Sequence, residues 1–102
     1  MGQLNPEKKL TPDQELRRGE QARQVIENEI YVEAWQKLRD GIIHMWETCP
    51  IRDKEGQHEL KLELKLLKEV RHHLETTMNT GKMAKIQIER DSMFKRTVER
   101  FK

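Results

Sequence analysis

The sequence predicts an all-α protein built on an antiparallel helical hairpin. Its first helix is broken, an additional helix follows at the C-terminus, and oligomerisation is a route to completing the core. Three observations predict this. The first is the stretch LKLELKLLKEVRHHLETTM, residues 60–78. At about 100° per residue, Leu60, Leu64, Leu67, Leu74 and Met78 fall within an arc of roughly 80°, with Leu62, Leu66 and Val70 in a second strip beside it. The second is an earlier apolar stripe, Tyr31, Trp35, Leu38, Ile42, Met45, Trp46 and Cys49, joined to the first by a short proline loop. The third is composition: 34% hydrophobic against 37% charged, with five glycines, three prolines and few aromatics. That balance suits slender helical assemblies and argues against a sheet sandwich or barrel.

Length allows one domain of modest core, expected over residues 11–102 behind a polar leader at 1–10 that holds Pro6. Helices are expected at about 12–27, 29–48, 54–80 and 82–100. The first opens on Thr11-Pro12-Asp13-Gln14. Thr11 caps, Pro12 suits the first helical position and Gln14 completes a capping box. The apolar stripe changes face near Asn28: Ala22, Val25, Ile26 and Ile30 point almost opposite to the stripe that begins at Tyr31. A break there, with Asn28 capping a new helix, is simpler than one straight rod needing two separate partners. Gly41 borders the tryptophan-bearing face and suggests a close helix crossing. Trp35 and Trp46 are three turns apart on one seam and read as the largest pieces of a small core, with a partner surface as the alternative.

Pro50 disfavours helical geometry at Cys49 and ends the second helix; Asp53 can cap the next. This packs the Trp35–Trp46 seam against Leu60–Met78. Gly81 stands where a helix commonly ends on a left-handed residue, so the third helix is expected to stop near Thr80. Beyond it, Met83, Ile86, Met93, Phe94, Thr97 and Phe101 share one helical arc and favour a fourth helix, although Ala84, Ile86 and Ile88 also alternate with polar residues as in a strand.

Chemistry is sparse. The sequence holds no glycine-rich phosphate loop, no Gly-x-Ser-x-Gly elbow and no Cys-x-x-Cys. His44, His58, His72 and His73 lack metal-ligand spacing, and the neighbours His72 and His73 diverge on a helix. Cys49 is the single cysteine, so it cannot form an intramolecular disulfide and reads as a small residue at a helix end rather than a nucleophile. The N-terminus lacks a secretory hydrophobic segment, and no apolar run reaches the roughly 20 residues that span a bilayer. A non-enzymatic protein without cofactor or metal is expected, with the cytosol as its default compartment.

Partner contacts are expected at Leu62, Leu66 and Val70, the strip the hairpin leaves uncovered, and at Arg71, Arg90, Phe94 and Phe101. Arg71 and Arg90 each fall in the middle of an apolar seam, where an unpaired charge is expensive. Either their aliphatic stems pack while the guanidinium reaches water, or a carboxylate meets them across an interface. The partner is another copy of the chain or a different protein. Charge is uneven: residues 82–102 carry seven Lys or Arg against three acids, a net +4, whereas residues 1–81 carry 13 basic and 15 acidic side chains. Lys82, Lys85, Lys95, Arg96, Arg100 and Lys102 are therefore the residues of an alternative, nucleic-acid-binding reading of the small-terminase type. No helix-turn-helix arrangement or aromatic stacking platform supports it.

The succession Arg18-Gly19-Glu20-x-Ala22, Val32-Glu33-Ala34-Trp35, Met45-Trp46-x-x-x-Pro50 and Asp53-Lys54-Glu55 resembles small proteins encoded among tailed-phage structural and packaging genes. So do Leu64-x-x-Leu67-x-x-Val70-Arg71 and Thr80-Gly81-Lys82-Met83-Ala84, and the likeness spans roughly residues 17–88. It implies a phage or prophage origin, with the protein in the bacterial cytoplasm or the virion. A phage or host protein is then a possible partner. It carries no catalytic signature.

Overall fold

Local capping chemistry sets the helix boundaries. The structure, a computed structural model, describes residues 9–101 and forms three helices: α1 (Pro12–Glu27), α2 (Glu29–Thr48) and α3 (Lys54–Arg100). Most of the expected leader and Lys102 lie outside the described residues. The α1 start is a reciprocal capping box: the Thr11 N–H donates to Gln14 Oε1 at 2.9 Å, and the Gln14 N–H donates to Thr11 Oγ1 at 3.2 Å. The break falls at Asn28, which is extended (φ −67°, ψ 124°) and accepts the Tyr31 N–H at 3.0 Å. At the end of α2, Cys49 is also extended (φ −70°, ψ 133°), as a residue before proline should be. Asp53 Oδ1 accepts the Gly56 N–H at 2.9 Å and opens α3.

One expectation is corrected here. Gly81 does not end a helix: α3 runs through it as one 47-residue element, so the helices expected at 54–80 and 82–100 are continuous. Among the described residues none has positive φ, so Gly81 keeps helical geometry rather than the left-handed cap. An interior glycine costs a helix only about 1 kcal/mol relative to alanine, which packing can offset. The alternating pattern around Ala84–Ile88 is helical too, and the described residues contain no strand.

The described residues divide into two compact units: one takes residues 9–22 and 76–101, the other Arg23–Glu75. In the first, α1 crosses the C-terminal half of α3 on small residues. Gly19, Ala22, Gly81 and Ala84 are its buried positions among the described residues. A Cβ built on Gly81 would lie 2.7 Å from Gly19 Cα and 3.0 Å from the Glu15 carbonyl oxygen. Glycine is needed there because the two backbones meet. Gly41 was the expected crossing point, and it is not one: a Cβ there meets nothing within 4 Å.

In the second unit α2 lies against the first half of α3. The Trp35 indole N–H donates to the Leu67 carbonyl at 3.1 Å. A helical carbonyl has a lone pair to spare after its own i+4 bond, so this satisfies the indole without a side-chain partner. Leu60, Leu64, Leu67, Leu74 and Met78 are all half-buried, and Ile42 is the one large apolar side chain that is buried. Ile42, Ile43 and Trp46 face Leu60 and Leu64 around a small apolar cavity of about 120 Å³. Leu38 and Met45, expected in this seam, are exposed instead, and Trp46, expected as one of its largest core pieces, is 53% exposed.

Candidate docking interface

The displaced residues of α2 meet the uncovered strip of α3. Leu38, Gly41 and Met45 form one wall of an open groove, and Leu66, Leu67 and Val70 form the other, enclosing about 470 Å³. Leu66 is 65% exposed, and Leu62, one turn earlier on the same strip, is exposed as well. Gly41 matters here by absence of bulk: with no side chain, and no neighbour over it, it leaves the α2 wall open between Leu38 and Met45. Two charges edge the groove. Lys37 is engaged within its own helix, 2.9 Å from Glu33 Oε1. Glu63 has no ion-pair partner among the described residues.

Sequence reasoning placed Leu62, Leu66 and Val70 on this face but assigned Leu38 and Met45 to the core. The signal was the width of the α2 stripe: Leu38 and Met45 sit at one edge of an arc of roughly 100°, beside Gly41, and one partner helix covers only part of such an arc.

Arg71 is not on the groove. Its guanidinium carbon lies 5.0 Å from the Trp35 ring centroid, and its Nε–H donates to Glu75 Oε1 at 3.1 Å. It therefore stacks on the aromatic face at the edge of the α2–α3 contact, with its charge met inside its own helix.

The second apolar face lies on the C-terminal half of α3. Met83, Ile86, Met93, Phe94, Val98 and Phe101 are all exposed, Phe94 at 72% and Phe101 at 82%. The α1-facing side of this half is another part of the circumference, marked by buried Gly81 and Ala84 and half-buried Ile88. Arg90 stands within the exposed stripe and has no carboxylate partner among the described residues. Lys82, Lys85, Lys95, Arg96 and Arg100 are exposed around it, and Arg96 Nη2 donates to Ser92 Oγ at 3.4 Å.

The remaining candidates do not assemble into chemistry. No group of three or more His, Cys, Asp or Glu placed to hold a metal ion occurs among the described residues. The Cys49 thiol is held above its ordinary pKa, by desolvation first, then by the negative charge of Asp53 and the hydrogen bond to it. Such a thiol stays protonated, the opposite of what a nucleophile needs. Among the described residues no helix is long and apolar enough to cross a membrane. Comparison with protein-family models, with curated proteins and with solved structures yields no match.

Proposed function

We propose that this is a non-enzymatic protein that works through its helix faces, by self-association or by docking to a protein partner. The observation that carries this reading is the pair of exposed apolar faces, the Leu38–Met45–Leu66–Val70 groove and the Met83–Phe101 stripe. On this reading α2 and the first half of α3 act as an antiparallel hairpin whose core is completed by what binds the groove. Full burial of a Leu, Met or Phe side chain contributes about 1.5–3 kcal/mol. Side chains already half-covered gain about half of that. Six or seven of them supply about 4.5–10 kcal/mol, the same order as the 4–15 kcal/mol lost in association, so a single contact of these side chains alone is weak and stable assembly needs further contributions. The resemblance to tailed-phage structural and packaging proteins suits such a role and suggests a phage setting, in the host cytoplasm or the virion.

Light scattering across a concentration series tests the reading. A mass that rises above the monomer supports it. A strictly monomeric protein with a cooperative melt removes self-association and leaves docking to a different protein. A second reading, nucleic-acid binding, draws on the exposure of Lys82, Lys85, Lys95, Arg96 and Arg100. Binding to duplex DNA at two salt concentrations separates it: a phosphate-driven complex weakens steeply as salt rises. No shift at low salt is the expected result.

A further inference from the structure

We propose that the exposed stripe on the C-terminal half of α3 seats in the α2–α3 groove of a second copy of this chain, with Arg90 paired to Glu63 across the contact. The inference rests on the self-association reading and names its occupant and register.

The stripe has the form a groove accepts. At about 100° per residue Met83, Ile86, Arg90, Met93, Phe94, Thr97 and Phe101 occupy an arc of roughly 100°. Helices that dock in apolar grooves do so through anchors spaced i, i+3 or i+4, and i+7. Phe94 and Phe101 are one such pair, and Arg90 lies one turn before Phe94. The groove runs from Lys37 to Met45 along α2, a length of about 12 Å at 1.5 Å per residue, enough for two turns of a seated helix. Gly41, midway along, leaves room where an aromatic side chain can enter.

Charge selects the occupant. Arg90 is a cation inside an apolar face, without a carboxylate partner among the described residues. Such a face is poorly matched to a purely apolar surface and well matched to one that carries a carboxylate. The groove supplies one in Glu63, likewise without an ion pair, while Lys37 at its other edge is engaged by Glu33. Glu59 and Glu69 flank the same strip of α3, and Lys82, Arg96 and Arg100 border the stripe against the single acid Glu89. The complementarity extends beyond the one pair, and both halves of it are present wherever this chain is.

The test is a charge exchange on the full chain, read by sedimentation across a concentration series. Arg90→Glu and Glu63→Arg should each weaken association by about tenfold or more, and the double variant Arg90→Glu/Glu63→Arg should recover it. Both positions are exposed, and far-UV circular dichroism of dilute samples checks that each variant keeps its helices. In a Cys49→Ser background, chains carrying Phe94→Cys mixed with chains carrying Gly41→Cys should form an interchain disulfide. Association that persists unchanged in both single variants, or a double variant as weak as their sum, overturns this seat while leaving self-association standing. A wild-type chain that is monomeric at every concentration overturns both.

Discussion

Adding one methyl group at Gly81 separates the two uses of glycine in a helix. In Gly81→Ala the new Cβ would stand 2.7 Å from Gly19 Cα, 3.0 Å from the Glu15 carbonyl oxygen and 3.3 Å from the Gly19 nitrogen. Comfortable carbon contacts are about 3.5–4.0 Å, so the approach is short by roughly 1 Å. Every one of those atoms is backbone, and none can rotate away. The helix α1 must move as a body. Overpacking of this kind costs about 1–3 kcal/mol, and the better helix propensity of alanine returns about 1 kcal/mol, leaving a net loss of about 0–2 kcal/mol. The two terms act on different helices. The propensity gain belongs to α3, whereas the clash falls on the α1 crossing. Hydrogen exchange resolves them: amides of α1 should lose protection in Gly81→Ala while those of α3 between Leu60 and Leu74 keep theirs. Gly41→Ala is the control, because a Cβ there meets nothing within 4 Å and should stabilise dilute protein by about 1 kcal/mol. Equal protection of α1 in wild type and Gly81→Ala would refute the argument that backbone contact is what requires glycine at the crossing.

Other perturbations follow from single contacts. The Tyr31 hydroxyl is buried without a hydrogen-bond partner among the described residues, so Tyr31→Phe should leave stability unchanged or raise it by about 1 kcal/mol in urea unfolding. Arg71→Leu removes a cation–π contact and a half-exposed ion pair, for a loss of about 1 kcal/mol. It should leave solution mass unchanged, and a loss of assembly would return Arg71 to the interface. Cys49 should react slowly with iodoacetamide at mildly alkaline pH, and Asp53→Asn, which keeps a capping side chain, should speed the reaction by removing the charge that holds the proton on sulfur. Because the folded pKa is raised, the unfolded thiol ionises first. Its contribution to stability is therefore full at neutral pH and declines as pH rises through the unfolded value of about 8.5.

What could be read from the sequence was what short-range chemistry determines. Thr11 and Gln14, Asn28, Pro50 and Asp53 act on backbone groups within four residues, and each helix boundary they mark is where the structure has it. Gly81 could not be read that way, since a glycine serves a left-handed cap and a close crossing equally well. The distinguishing signal was non-local: Gly19-x-x-Ala22 on one helix and Gly81-x-x-Ala84 on another, two small-residue pairs of matching spacing. No proline follows Gly81 to stop the helix, and the residues after it are good helix formers. For the candidate interface, periodicity found the Leu62–Leu66–Val70 strip because it depends on one helix alone. Which edge of the α2 stripe completes the groove depends on how far α2 is rotated against α3, and a hydrogen bond from Trp35 to a backbone carbonyl leaves no mark in sequence.

The last turns of α3 carry the sharpest energetic consequence. From Glu89 to Phe101 every residue is exposed, so among the described residues little tertiary contact covers this segment. Helices shorter than about 12–15 residues are marginal in water on propensity alone. This segment is spared the nucleation cost by continuing a packed helix, but it holds Ser92, Thr97 and Val98, which are indifferent helix formers. Its free energy of helix formation therefore lies near zero in a free chain, and fraying from Arg100 inward is expected. If a second copy covers Phe94 and Phe101, the contact must also supply the ordering of these turns, which lowers affinity but couples helix formation to assembly. Mean helicity should consequently rise with protein concentration, by at most about a tenth of the chain, in step with the mass seen by light scattering. In Phe94→Ser/Phe101→Ser helicity should stay at its dilute value throughout. Concentration-independent helicity accompanied by a rising mass would mean that the chain assembles without this segment, and the contact would then have to be sought at the groove alone.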